Sequence, residues 1–386
     1  MYIHTLLFIG SLASLALSAP APTRDTRHGG DGGHWTNWRH SSSPAQDWTD
    51  WNSCTPDKIR TRVDYSSLTK EEQKSLGDAY QCLLNLPSRL DPTAYPAAIN
   101  RYFDYSIVHV NRTQYVHLSG FFLTWHRYFI HLFEEDLRNS CGYTGRWAYW
   151  NFAATAGSLE TSAILSGDEF SLSGNGIFND TGPIHLGQNL TIPHGSGGGC
   201  VTTGPFANLI TPLGYIDPSQ LVLGGLPADA FAYNPSCLRR DLNNYVATTY
   251  TNYELVANAT HAPSAAAFEL AINGIIGSGT LGVHSGAHFE VGGQMNSIHV
   301  SAQDPVWYPL HTFIDLLYDS WQRNNPAAAY EIHGTGSALN NPPTANVTLD
   351  SVEPDWGYFQ TDPIQVRDLV STTSGPFCYQ YDVHVS

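Results

Sequence analysis

The sequence has few basic residues and contains no basic run. Lysine and arginine together number 18 against 34 aspartate and glutamate residues, which gives a formal net charge of -16 over 386 residues. Binding to nucleic acids and to anionic lipid surfaces depends on attraction between basic side chains and phosphate groups. We therefore predict no nucleic-acid partner and no membrane partner, and we expect small neutral molecules to suit this surface.

Long apolar runs are absent as well, apart from one at the N-terminus. Residues 6–17 form an apolar run that is too short to span a bilayer but has the length of a signal-peptide core. The small residues Ala16 and Ser18 close this run, so we predict a signal peptide over residues 1–18 that is cleaved after Ser18. The chain is therefore expected to be secreted to the extracellular space.

Cysteine is scarce, and the six cysteines lie far apart. In a secreted chain an even number of such cysteines is typical of a disulfide set, although the sequence alone leaves the pairing open. Five Asn-X-Ser/Thr sequons fit an exported glycoprotein. The cysteines are Cys54, Cys82, Cys141, Cys200, Cys237 and Cys378, and the sequons begin at Asn111, Asn179, Asn189, Asn258 and Asn346.

The domain organisation is read from composition. Residues 19–52 are rich in Gly, Ser, His and Trp and have no apolar periodicity, so we interpret them as a flexible leader or propeptide. The rest of the chain contains neither an internal repeat nor an evident linker. Residues 53–386 are therefore predicted to form a single domain.

Apolar spacing within that domain predicts a mainly α-helical fold. Thr69 and Glu72 have the capping-box spacing that starts a helix, and Pro87 ends it. Residues 155–235 are rich in Gly, Pro, Asn and Ser and are expected to be mostly loop. Further helices are predicted over residues 97–110, 126–138, 236–257, 264–275, 284–290 and 306–322. The expected architecture is a helical bundle with long loops and a few short edge strands, the latter after Asn324.

Two widely separated groups of three histidines are the candidate metal ligands of this sequence. Neither group contains a cysteine, and aromatic residues such as Tyr128 and Phe129 follow the first group. Imidazoles in an apolar, aromatic environment favour copper, with iron next, over magnesium or calcium, which need carboxylate oxygens. The sequence therefore predicts a paired copper centre that handles oxygen. The first group is His109, His117 and His126, and the second is His284, His288 and His311.

Other interpretations of these histidines are weaker. His284 and His288 are four residues apart and share one helix face, but a zinc protease helix needs a glutamate where this chain has Ser285. A single histidine is most often a core residue, so a mononuclear or purely structural set stays an alternative. His131 points away from His126 on the same helix and is left out. Asp315, one turn after His311, is expected to accept a hydrogen bond from a ring nitrogen or from a basic side chain.

The flanking residues resemble the tyrosinase and catechol oxidase family. The segment from His109 to Asn151, with Phe122-Leu123-Thr124-Trp125-His126-Arg127, is similar to the family's first copper-binding region. The segment from His284 through Gly292-Gly293-Gln294-Met295 to Asp315 is similar to the second. The likeness extends from about Arg62 to Tyr381, where Tyr379-Gln380-Tyr381 resembles the motif that closes the family's central domain. In length the chain resembles the short fungal members.

The resemblance implies a mechanism and a ligand set. Two copper ions, each held by three histidines, bind O2, and the bound oxygen oxidises a phenol or a catechol to an o-quinone. No catalytic side chain is implied beyond this dicopper centre. By position, His109, His117 and His126 would hold copper A, and His284, His288 and His311 would hold copper B.

Several positions depart from the family pattern. Tyr115 replaces a cysteine that many fungal relatives link to the second copper-A histidine, so that link is not expected here. Ser285 replaces an asparagine associated with deprotonation of monophenols, and Asn273 replaces a glutamate. Phe289 and Phe313 either pack within the core or stack on the substrate and control its access to the site. We thus regard Ser285, Asn273 and Phe289 as candidates for tuning substrate choice. Leu310 and Asn151 are smaller departures.

Three functions follow from these observations. The leading one is a secreted dicopper oxidase that converts o-diphenols to o-quinones with O2, with o-aminophenols and some monophenols as further candidates. The second is a tailoring oxidase of fungal secondary metabolism that acts on one phenolic metabolite or a peptidyl tyrosine. The third, from another class, is a haemocyanin-like oxygen-binding protein. The oligomeric state is left open.

Overall fold

A computed structural model describes residues 54–275 and 278–386, which form a mainly helical domain with few short strands. This confirms the predicted fold class. The predicted signal peptide, the predicted leader and Ser53 lie outside the described residues. The helices are α1 (Lys70–Asn85), α2 (Arg101–Val116), α3 (Phe122–Cys141), α4 (Phe152–Thr155), α5 (Ser219–Leu223), α6 (Asn244–Tyr250), α7 (Tyr253–Thr260), α8 (Ala265–Asn273), α9 (Val283–Val291) and α10 (Trp307–Asn324).

The strands are short, and all except the last lie before Asn324, so the prediction that they follow this residue was wrong. They are β1 (Arg60–Asp64), β2 (Ala148–Tyr149), β3 (Gly176–Phe178), β4 (Ile184–Leu186), β5 (Leu190–Ile192), β6 (Gly198–Val201), β7 (Ile210–Leu213), β8 (Tyr233–Cys237) and β9 (Tyr379–Tyr381). One three-stranded parallel sheet has the order β2-β1-β9, and three two-stranded antiparallel ladders pair β3 with β6, β4 with β5, and β7 with β8. Among the described residues, no helix is both long enough and apolar enough to cross a bilayer.

The helix ends follow from local chemistry. The capping box predicted for α1 is present, since Thr69 accepts from the Glu72 amide and the Glu72 carboxylate accepts from the Thr69 amide. Asn100 caps α2 by accepting from the Phe103 amide. α3 ends at Gly142, whose φ of 66° lies in the left-handed region that glycine adopts without steric cost.

Several predicted helix boundaries were wrong; for example, the helices predicted to start at residues 97 and 126 begin at Arg101 and Phe122. The helix predicted over 97–110 runs on to Val116, and Thr113 is buried in it with its hydroxyl donating to the His109 carbonyl. The helix predicted over 236–257 is broken, because β8 ends at Cys237 and Asn243 caps a new helix, α6. As a result His109 lies inside α2, and His117 directly follows its end.

An aromatic core fixes α1, α2, α3 and α10 against one another. Tyr80, Tyr102, Phe133 and Tyr308 come from these four helices, and all are almost fully buried. The rings of Phe133 and Tyr308 stack with centroids 3.5 Å apart, and Tyr80 meets Phe133 edge to face at 5.1 Å. Each such side chain contributes about 1.5–3 kcal/mol through burial. This core sets the positions of the helices that carry the histidines.

A buried ionic cluster around Asp315 joins α3, α10, β1 and β9. The carboxylate accepts from Arg127 Nε at 2.5 Å and from Arg62 Nη1 at 3.2 Å. The hydroxyls of Tyr379 and Tyr381 also donate to it, each at 2.5 Å. The sequence prediction that Asp315 accepts from a basic side chain is therefore confirmed. Arg127 follows His126 and Asp315 lies one turn after His311, so this cluster ties together the helices of both histidine groups.

The six cysteines form three disulfides, which confirms the predicted even set. Cys54–Cys378 joins the two ends of the described domain, Cys82–Cys141 joins α1 to the end of α3, and Cys200–Cys237 joins β6 to β8. None of the six is free. The third bond crosses the segment predicted to be mostly loop.

Candidate metal centre

The first histidine group, triad A, consists of His109, His117 and His126. α2 supplies His109 from its interior, His117 directly follows the end of α2, and α3 supplies His126 from its second turn. The three side chains are buried, and one nitrogen from each lies within 4.8 Å of the others. The ring of His117 is 4.9 Å from that of His126 and 5.0 Å from that of His109. Triad A can therefore hold one metal ion.

The second group, triad B, consists of His284, His288 and His311. The first two lie one turn apart on α9, and the third lies on α10. The Nε2 atom of His288 is 3.0 Å from that of His284 and 3.2 Å from that of His311, and the remaining pair is 3.4 Å apart. Two nitrogens bound at about 2.0 Å to one tetrahedral ion are about 3.3 Å apart, so this spacing suits a shared cation.

The two triads adjoin one another. The rings of His126 in triad A and His311 in triad B stack with centroids 4.9 Å apart and planes inclined by 14°. The Nε2 atoms of His109 and His126 are buried and have no hydrogen-bond partner among the described residues. Unpaired buried nitrogens are costly unless something satisfies them, and a metal ion would do so. The arrangement suits a dinuclear site.

Burial keeps the histidines of both triads neutral. Removal from water lowers the pKa of His109 to about 3 and that of His288 to about 4, in each case against a hydrogen bond to a carbonyl that acts in the other direction. The pKa values of the other four ligands lie well below the ordinary value of 6.5, first because of burial and then because of neighbouring imidazoles. These ligands are His117, His126, His284 and His311. Neutral imidazole is the form that binds metals, so both triads offer ligands across the physiological pH range.

Hydrogen bonds at Nδ1 orient five of the six rings. A carbonyl oxygen only accepts, so each Nδ1 must carry the proton, which leaves the Nε2 lone pair for a metal. For His311, Nδ1 has no partner among the described residues. The acceptors are His299 O for His109, Thr113 O for His117, Phe122 O for His126, Asn273 Oδ1 for His284 and Met295 O for His288, at 2.9, 3.1, 2.8, 3.1 and 3.1 Å.

Aromatic side chains wall the site. Trp307 stacks on His311 with centroids 3.9 Å apart and also meets His109 edge to face at 5.2 Å. Phe122 lies between the triads, 4.8 Å from the His126 ring and 5.0 Å from the His284 ring. These walls exclude water from the ligands, as the sequence interpretation expected. His131, which the sequence left out of the site, instead packs against Tyr128 and Phe377.

The candidate tuning residues occupy different surroundings. Ser285 donates from Oγ to the Asn273 carbonyl at 2.8 Å, and the Asn273 side chain accepts from His284. Phe289 is partly buried against a small cluster that includes Leu190 and Ile192 of the β4–β5 hairpin. Phe313 is buried and contacts Tyr149 and Phe152, so it is a core residue.

The smaller departures have local roles. Tyr115 is 39% exposed, and since all six cysteines are in disulfides, no cysteine is left to link to His117. Leu310 is fully buried in the core. Asn151 caps α4 by accepting from the Ala154 amide.

Sequence reasoning missed the groups that orient the ligands. Four of the five Nδ1 acceptors are backbone carbonyls, and these carry no residue-type signature because every residue has one. It also did not connect Arg62 with Asp315, which are 253 positions apart. The motif Tyr379-Gln380-Tyr381 was the sequence signal that could have pointed to this ionic cluster, since the hydroxyls of Tyr379 and Tyr381 donate to the Asp315 carboxylate.

Comparison with known proteins places this site in a family. A family model described as the common central domain of tyrosinase matches residues 99–324. Tyrosinase P of Aspergillus terreus is 36% identical over 327 residues, which cover 83% of this chain and 91% of that protein. The N-acetyl-6-hydroxytryptophan oxidase of Emericella nidulans is 34% identical over 355 residues, which cover 86% of this chain and 95% of that protein.

A solved structure gives the same result. A polyphenol oxidase variant from Thermothelomyces thermophila superposes with a TM-score of 0.78 at 33% sequence identity, and the match covers 85% of this chain and 90% of that one. All six triad histidines lie within the described residues, and the family model spans all of them. The chain therefore belongs to the tyrosinase family and is a copper-dependent oxidoreductase.

Proposed function

We propose that this chain is a secreted dicopper oxidase that converts o-diphenols to o-quinones with O2. o-Aminophenols and some monophenols are further proposed substrates. His109, His117 and His126 would hold copper A, and His284, His288 and His311 would hold copper B. The observation that carries the proposal is the pair of buried histidine triads, which adjoin through the stacked rings of His126 and His311 at 4.9 Å.

The protein's part in this reaction is to hold and shield the ligands. When bound, the two copper ions would supply the redox chemistry and the binding of O2. The Nδ1 hydrogen bonds fix five imidazoles in one tautomer, which keeps each Nε2 aimed at its ion without a reorganisation cost during turnover. Phe122 and Trp307 are buried against the ligand rings and keep water away from them.

Two hydrogen bonds support a preference for diphenols. A monophenol must be deprotonated and must also gain an oxygen atom, whereas a catechol only loses two electrons and two protons. The Ser285 hydroxyl donates its proton to the Asn273 carbonyl, and the Asn273 side-chain oxygen accepts from His284. Both groups are neutral, so neither supplies the carboxylate that would make a bound water an effective base.

Secretion is supported by cysteine use. All six cysteines are paired, as is common in proteins of oxidising compartments and rare in cytosolic ones. Four of the five sequon asparagines, Asn179, Asn189, Asn258 and Asn346, are exposed, so they are accessible for glycosylation in such a compartment. Secretion would be tested by detecting the chain with glycans and a cleaved N-terminus in culture medium.

A tailoring role in secondary metabolism is the second candidate. The relative from Emericella nidulans is named for one specific hydroxytryptophan derivative, and the alignment covers 86% of this chain. That name favours a single aromatic metabolite over simple catechols. Fast turnover of such a hydroxylated aromatic metabolite, with slow turnover of catechol, would support this role.

Catechol addition to the copper-loaded protein tests the main proposal. We expect two coppers per chain, oxygen uptake and quinone absorbance. Two coppers with reversible oxygen binding and no quinone from any phenol would indicate a carrier. One copper per chain would contradict the dinuclear assignment.

A further inference from the structure

Asn273 differs from the other groups that orient the histidines. Among the described residues, four of the five Nδ1 acceptors are backbone carbonyls, and the fifth is the side-chain oxygen of Asn273, 3.1 Å from His284 Nδ1. A backbone carbonyl is the same for every residue type, whereas an asparagine oxygen depends on the sequence. Of these five ligands, His284 is therefore the one whose Nδ1 acceptor can be removed by replacing a single side chain.

The fold places Asn273 beside His284 through two glycines. Asn273 ends α8, and Gly282 precedes α9, where it accepts from the Gly286 amide at 2.7 Å. A Cβ on Gly282 would collide with the Ile272 carbonyl and the Gly274 amide. Gly274 has a φ of 72°, a conformation that favours glycine. The two backbones can thus approach closely enough for the side chain of one to reach the ring of the other.

Ser285 also forms a hydrogen bond with Asn273, through the Asn273 backbone. Its hydroxyl donates to the Asn273 carbonyl at 2.8 Å, so residues on either side of the α8–α9 connection are bonded twice. Asn273 is partly buried, and His284 is 5% exposed. Water competes poorly for a bond in this setting, so the contact has a strong effect on how the ring is held.

We propose that Asn273 is a positioning residue that accepts a hydrogen bond from Nδ1 of His284, holds the Nε2 lone pair toward triad B, and thereby sets the affinity of copper B. The proposal rests on the proposed function, because it takes copper as the metal of triad B. Loss of a partner that orients a metal ligand typically weakens metal binding by about 10- to 100-fold. Triad A has its own acceptors, so copper A should not change.

The test compares three variants of the full chain by anaerobic titration of the metal-free protein with Cu(I) against a chromophoric chelator. Asn273→Ala should weaken one of the two copper sites by about 10- to 100-fold and leave the other unchanged. Asn273→Asp keeps an acceptor in place and should bind both coppers at least as tightly as the wild type. Ser264→Ala is the matched control, because it removes the cap at the opposite end of α8. It should lower the unfolding temperature without changing either copper site.

A measurement on the unaltered protein provides a second test. In the metal-free wild type, ¹⁵N spectra of the His284 ring should show the proton on Nδ1, and this signal should shift in Asn273→Ala. A proton on Nε2 in the wild type would overturn the proposal, as would an Asn273→Asp variant as weak as Asn273→Ala. If the wild type binds two coppers and Asn273→Ala holds both equally tightly, only this inference fails. If the wild type binds no copper, the proposed function fails as well.

Discussion

Asp315 allows a direct test of how the fold holds the two triads together. Its buried carboxylate balances the charge of Arg127 and Arg62 and accepts from two tyrosine hydroxyls. Asp315→Asn keeps the shape of the side chain but removes the charge. It also turns one acceptor oxygen into an NH2 donor. That donor would face guanidinium groups, which can only donate, and tyrosine hydroxyls, which donate to Asp315 in the wild type. Arg127 is fully buried, and among the described residues Asp315 is the only carboxylate within salt-bridge distance of it, so most of its charge would be left uncompensated.

The magnitude follows from this burial. Removing one partner of a buried ion pair costs about 3–5 kcal/mol, a large part of the roughly 5–15 kcal/mol that stabilises a folded domain. Burial alone would raise the pKa of Asp315, but the charges of Arg127 and Arg62 outweigh it, and the pKa is lowered below its ordinary value of 3.8. The ionised carboxylate therefore stabilises the fold at any pH above its unfolded pKa. This stabilisation is lost only as the pH falls through the lower folded pKa.

The assay is urea unfolding followed by tryptophan fluorescence, with the disulfides intact, at neutral pH and in an acid series. The control is Asp319→Asn, one turn further along α10. Its salt-bridge partner Arg323 is 50% exposed. Burial raises the pKa of Asp319 by more than Arg127 and Arg323 lower it, so the ionised carboxylate adds little stability and we expect a change of about 1 kcal/mol or less. If Asp315→Asn unfolds within about 1 kcal/mol of the wild type, or if Asp319→Asn costs as much, the reasoning is refuted.

The remaining predictions concern the ligands and one buried acid. His288→Ala should lose one copper per chain and all oxidase activity, whereas His131→Ala should keep both coppers; metal analysis distinguishes them, and retained activity in His288→Ala would contradict the ligand assignment. Ser285→Asn should raise monophenol turnover relative to catechol turnover, and an unchanged ratio of the two rates would argue against a role for this position. Burial raises the pKa of Glu353 from 4.5 to about 8, so stability should fall as the pH rises between these values. Glu353→Gln should remove that fall, and urea midpoints that decline equally in both proteins would exclude Glu353 as the cause.

Some elements were predictable because their signals are local. The capping box of Thr69 and Glu72 and the four-residue spacing of His284 and His288 depend only on neighbours in sequence, and both lie on helices as predicted. The end of α2 was not predictable, because residues 111–115 are polar and resemble a loop. In the fold Thr113 is fully buried, and its hydroxyl bonds within the helix, so tertiary packing overrides the local pattern.

The break between residues 236 and 257 has the same kind of cause. The apolar spacing predicted one helix, but the Cys200–Cys237 disulfide and the pairing of β7 with β8 hold the start of this segment in a strand. Arg240 is also fully buried, and it bonds Asp304, which is 64 positions away. These constraints link distant parts of the chain, so no window of the sequence contains them.

The two triads differ in how they depend on such distant contacts. In triad A, His117 and His126 donate to carbonyls four residues earlier, Thr113 O and Phe122 O, so α2 and α3 orient these rings by themselves. In triad B, His284 depends on Asn273 and His288 on Met295, both outside α9. Triad A is thus oriented by its own helices at two of its three ligands, and only His109 uses a distant acceptor, His299 O, 190 positions away. Triad B is assembled by the segments on either side of α9. We therefore expect substitutions at Asn273, at the end of α8, and at Ser285, in the first turn of α9, to alter copper B and substrate choice while leaving copper A in place.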